Sequence, residues 1–76
     1  MENVIYKPSD RNCIEILSKH EFMLKVETNE KVYETKYGNK TIIAEKYIKR
    51  LTLTSTEIKI ELENIFLYDI LIDLTY

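Results

Sequence analysis

The chain has one cysteine, one glycine, one proline, one histidine and no tryptophan in 76 residues. Each scarcity excludes something. A lone Cys13 can close no intrachain disulfide, so a small secreted scaffold stapled by disulfides is ruled out. With Gly38 alone, no glycine-rich loop can be built to cradle a phosphate. Cys13 and His20 could form a nucleophilic pair on one helix face, but seven residues of helix span more than ~10 Å, which no hydrogen bond bridges. Neither C-x-x-C nor H-x-x-x-H spacing occurs, so no zinc site is expected. Glu61 with Glu63, and Asp69 with Asp73, share strand faces, yet alternating carboxylates are what any solvated sheet displays. No catalytic, cofactor-binding or metal-binding residue is assigned, and the chain is not expected to be an enzyme.

Long hydrophobic runs are lacking too. The most apolar stretch, I-F-L-Y-D-I-L-I-D-L at 65–74, is about half as long as a membrane-spanning helix and is broken by Asp69 and Asp73. Glu2, Lys7, Asp10, Arg11 and Glu15 interrupt the first 26 residues, leaving no apolar segment for a signal peptide. A soluble, cytoplasmic protein without membrane contact is the expectation. Ala44, Gly38 and Pro8 are the only residues of their types, and all three types have GC-rich codons. Such a bias is associated with AT-rich genomes and, in a chain this small, with phages and other mobile elements.

What is present describes a folded protein. A hydrophobic content of 45% with six Tyr and two Phe is well above that of disordered chains. The length allows one small globular domain, 1–76, and a thin core. The net charge of −2 gives no global attraction to a polyanion, but the charges are polarised along the chain. In 36–50, Lys36, Lys40, Lys46, Lys49 and Arg50 oppose Glu45 alone; in 51–76, Lys59 alone opposes Glu57, Glu61, Glu63, Asp69 and Asp73.

Period-two alternation dominates from residue 22 onward and predicts a mainly β fold, a small antiparallel sheet or barrel. Phe22, Leu24 and Val26 form one face of a strand that T-N-E ends at 28–30. Leu51 and Leu53 alternate with Thr52 and Thr54, S-T turns, and Ile58, Ile60 and Leu62 alternate with charges. Gly38-Asn39 between two such runs is a two-residue hairpin signature, because both residues tolerate the positive φ of type I′ and II′ turns. A central hairpin would set Tyr37 opposite Lys40 and Tyr33 opposite Ala44, with Tyr33, Tyr37, Ile42, Ala44 and Ile48 facing the core.

Two segments are ambiguous. Residues 3–6 read as a short first strand, after which Ser9 or Asp10 caps a helix at about 10–19, carried by Cys13, Leu17 and His20 against the strand spacing of Ile14 and Ile16. Residues 65–76 are apolar on both faces, as in a covered central strand or a strand at an oligomer interface; a helix is the alternative.

Two binding readings follow. In the first, the chain is a non-enzymatic inhibitor, adaptor or assembly subunit that covers a protein partner, with Leu67, Asp69, Leu71 and Asp73 as the contact residues and a homo-oligomer as one outcome. In the second, Lys36, Lys40, Lys46, Tyr47, Lys49 and Arg50 form a basic, aromatic patch for nucleic acid, as small barrels do.

Overall fold

Alternating apolar and polar residues form eight strands in the computed structural model, which describes residues 3–75. They are β1 (Val4–Pro8), β2 (Cys13–Ser18), β3 (Phe22–Glu27), β4 (Val32–Tyr37), β5 (Lys40–Ala44), β6 (Ile48–Thr54), β7 (Lys59–Ile65) and β8 (Tyr68–Leu74). The fold is mainly β, and no helix occurs among the described residues. Two four-stranded sheets form, ordered β1-β8-β2-β5 (sheet A) and β4-β3-β6-β7 (sheet B). Every pairing is antiparallel except that of β2 with β8.

The sheets bury their inner faces in one core. Sheet A contributes Ile14, Ile16, Ile43, Ile70 and Ile72; sheet B contributes Phe22, Leu24, Val26, Ile48, Leu51, Leu53, Ile60 and Ile65. β-Branched isoleucine suits the pleated, half-buried surface of a strand. Facing sheets with their outer faces in solvent are what an alternating pattern dictates.

The two clearest hairpins lie where the turn residues place them. Thr28 ends β3 by accepting, through Oγ1, the N–H groups of Glu30 and Lys31. Ser55 does the same between β6 and β7, taking the N–H groups of Glu57 and Ile58. Both are short hydroxyl-to-backbone turns of the kind Ser and Thr favour.

The expected helix at 10–19 is a strand instead. β2 lies between β8 and β5, and its buried residues are Ile14, Ile16 and Ser18, which share strand spacing. Ser9 accepts the N–H of Arg11 two residues on, forming a turn where a helix cap was expected. Hydrogen-bonded neighbours on both sides satisfy the backbone that a helix would otherwise satisfy internally.

The expected central hairpin also does not form. β4 pairs with β3 in sheet B, whereas β5 pairs with β2 in sheet A, so Gly38 and Asn39 carry the chain from one sheet to the other. Gly38 does not have a positive φ, so the turn is not of the type its glycine suggested. Tyr33 and Tyr37 do pack against the core from β4. On β5 the parity is reversed: Ile43 is buried, while Ile42 and Ala44 are exposed. Adjacent isoleucines leave the choice of face to the strand's partner, and β2 sets Ile43 opposite Ile14.

Of the apolar run 65–76, residues 68–74 form a strand, as favoured above, while Ile65 ends β7 and Tyr76 lies outside the described residues. β8 sits inside sheet A, bonded to β1 on one side and β2 on the other. An internal strand offers no free edge for a partner.

Two polar residues are buried among the described residues, Asn12 and Ser18, and Asn12 is the deeper. Asn12 is 2% exposed and adopts φ 50°, a left-handed conformation that Asn tolerates better than most residues. Its Nδ2 donates to the carbonyls of Lys46 (3.0 Å) and Ile65 (2.9 Å), and its Oδ1 accepts the N–H of Tyr68 (3.1 Å). One side chain therefore ties the β1–β2, β5–β6 and β7–β8 connections together.

Candidate interaction surface

Strand register places the outward residues of each sheet in rows, and the two outer faces differ in chemistry. On sheet B the rows read Lys36-Met23-Thr54-Lys59, Glu34-Lys25-Thr52-Glu61 and Val32-Glu27-Arg50-Glu63. Charges of both signs alternate with threonines, and the face is that of an ordinary solvated sheet.

On sheet A the central row reads Ile5-Leu71-Glu15-Ile42. Flanking it, Cys13 neighbours Ala44, and Leu17 lies between Asp73 and Lys40. Ile5 is 56% exposed and Ile42 58%. A shallow groove of about 230 Å³ is lined by Ile5, Cys13 and Leu71 together with Lys7, Arg11 and Asp69. Apolar side chains thus extend across the sheet from β1 to β5.

The polar groups on this face are held by the chain itself. Arg11 bonds the Asp69 carboxylate at 2.6 Å, and the Cys13 N–H donates to the other carboxylate oxygen at 3.0 Å. Those bonds, the Arg11 one foremost, hold Asp69 below the usual carboxylate range and raise Arg11. Asp73 is also held low, by the hydroxyl and then the N–H of Thr75. Lys40 reaches Glu15 at 3.1 Å. Neutralising pairs of this kind leave the apolar side chains as the dominant feature of the face.

Of the sequence-predicted contact residues, Asp69, Leu71 and Asp73 share this face, with Leu71 at its centre. Leu67 is elsewhere. It occupies the two-residue connection between β7 and β8, half exposed at φ 67°, a strained conformation for a leucine. Near it, Phe66 is 54% exposed and meets the Tyr47 ring edge-on at 6.4 Å, while Tyr6 meets Tyr68 at 5.7 Å. Sequence reasoning does not assign Ile5, Cys13, Leu17 or Ile42 to a contact surface, and it expects Ile42 in the core. Period two marks each as lying on one side of its strand, but only the β1-β8-β2-β5 order places them beside Leu71.

The predicted basic patch is dispersed by the same topology. Lys36 is on the outer face of sheet B and Lys40 on that of sheet A. Lys46 and Tyr47 lie in the β5–β6 connection, where the Tyr47 hydroxyl bonds Asn64 at 2.8 Å. Lys49 approaches Glu27 at 3.9 Å and Arg50 approaches Glu63 at 3.8 Å.

Cys13 opens β2 and His20 lies two residues beyond its end, and a strand's rise of about 3.3 Å per residue over Cys13–Ser18 carries the chain further than a helix would. No group of three or more His, Cys, Asp or Glu side chains is placed to hold a metal among the described residues. No helix there is long and apolar enough to cross a membrane. No protein-family model matches the chain, and comparisons with curated proteins and with solved structures returned no match.

Proposed function

We propose that this chain is a non-enzymatic binding protein that docks a protein partner on the outer face of sheet A, with Leu71 at the centre of the contact. One observation carries the reading: the outer face of sheet B has charges in every row and of both signs across the face, whereas on that of sheet A the apolar side chains of Ile5, Leu71, Cys13, Leu17 and Ile42 lie together around the Arg11–Asp69 and Lys40–Glu15 pairs. Contiguous exposed apolar surface on a small protein marks an interaction site. An inhibitor, adaptor or assembly subunit from a mobile element fits that chemistry. The nucleic-acid reading draws less support, because the cations of 36–50 are divided between two sheets and several face carboxylates.

The test compares two variants as baits in a lysate of the source cells, with and without nuclease. Leu71→Lys places a charge in the apolar face; Thr52→Lys does the same on sheet B. Support is a stoichiometric protein partner that survives nuclease, is kept by Thr52→Lys and is lost with Leu71→Lys. Equal capture by both variants, or capture that nuclease abolishes, would overturn the reading.

A further inference from the structure

The four edge strands are not equally protected against pairing with another chain. β1 ends at Pro8, which has no N–H to offer. β4 carries Glu34 and Lys36, and β7 carries Lys59, Glu61 and Glu63 on its outer side, the charges by which natural edges repel a second strand. β5 reads K-T-I-I-A, and after Lys40 it has no charge, proline or bulge.

Its hydrogen-bonding groups point the right way. The Ser18 N–H donates to the Asn39 carbonyl at 2.7 Å, which makes that pair a bonded one in the β2–β5 ladder. Bonded pairs recur every second residue, so Thr41 and Ile43 face β2 while Lys40, Ile42 and Ala44 aim N–H and C=O at the open side. No hydrogen bond to those outward groups occurs among the described residues.

We infer that β5 pairs antiparallel with β5 of a second copy of this chain, joining the two A sheets about a two-fold axis at Ile42. Ile42 then meets Ile42 of the second copy, and Lys40 lies opposite Ala44 of the second copy, so no like charges are opposed. A two-fold contact of this kind is self-complementary by symmetry. The Ile5-Leu71-Glu15-Ile42 row becomes continuous with its copy. The inference stands apart from the docking proposal, since Leu71 lies two strands from β5 and either can fail alone.

A five-residue strand buries less than a standard interface, so dimerisation on the order of 100 μM is expected. Sedimentation equilibrium from about 10 μM to about 1 mM should show the mass rising from 9.1 kDa towards twice that value. Ile42→Pro removes only the outward N–H, and Ile42→Lys places two like charges on the axis. Both are expected to keep the melting temperature of dilute protein and to lose the dimer at least tenfold in affinity. Mixing Ile42→Lys with Ile42→Glu should restore it as a heterodimer. A monomer mass throughout the range, or variants that dimerise like the parent, would overturn the inference.

Discussion

Replacing Asn12 tests whether one buried amide holds three connections together. In Asn12→Ala, the carbonyls of Lys46 and Ile65 and the N–H of Tyr68 each lose their bond to the side chain. A buried group left without a partner costs about 1–3 kcal/mol, and an alanine held at positive φ adds about 1 kcal/mol. Some relaxation towards water lowers the total, and about 3–5 kcal/mol is expected. A domain of this length has about 4–11 kcal/mol in all, so the variant should lose a large part of its stability. Urea denaturation followed by circular dichroism measures the loss directly. Asn12→Gly separates the terms: it removes the same bonds without backbone strain, and should be about 1 kcal/mol less damaging than Asn12→Ala. Asn12→Asp keeps the acceptor for Tyr68 but turns a carboxylate oxygen towards two carbonyls. Its folded carboxyl is thereby raised above the unfolded value, so that variant should be most stable below the ordinary Asp value of about 4 and lose stability as the pH rises above it. A loss below about 1 kcal/mol in Asn12→Ala would refute the reasoning, because stranding the buried Ile65 carbonyl alone should cost about that much.

Three further outcomes are expected. Gly38→Ala should be neutral or raise stability by about 0.5 kcal/mol, since its φ is not positive and no atom lies within 4 Å of an added Cβ; a clear loss in thermal melts would restore the hairpin turn. Leu67→Asn should stabilise by about 0.5–1 kcal/mol in the same melts by relieving a left-handed leucine that is already half exposed; an unchanged or lower melting temperature would mean that no strain is stored there. The Tyr33 hydroxyl is pushed up to about 12, chiefly by burial and then by its bond to Glu45. Because the folded value is the higher one, its contribution is complete below about pH 10 and disappears between about pH 10 and 12. The stability difference between the parent and Tyr33→Phe should shrink over that window, and a flat difference would contradict the assignment.

Where alternation is strict, the sequence speaks clearly. β3, β6 and β7 each set apolar residues against charges or threonines, and the Thr28 and Ser55 turns carry their own chemistry. β2 was harder to read because Cys13 and Leu17 make its outer face apolar too, so helical and strand spacings both find support. The Gly38-Asn39 turn misled for a different reason. Turn chemistry is local, whereas the sheet that accepts each flanking strand is decided by Phe22 opposite Tyr37 and Ile14 opposite Ile43. Asn12 gives no signal in the polar run D-R-N-C, because nothing local distinguishes a buried asparagine from a surface one. The candidate surface was half legible: β8 alone places Asp69, Leu71 and Asp73 on one side, but Ile5, Leu17 and Ile42 come from strands far apart in sequence.

The most direct test of the docking claim is photo-cross-linking in the source cells, with a photoreactive amino acid placed at Leu71 on sheet A or at Thr52 on sheet B. A discrete protein adduct is expected from the Leu71 position and none from Thr52. Adducts from Thr52 alone, or from neither position, would contradict the claim that the outer face of sheet A is where this protein acts.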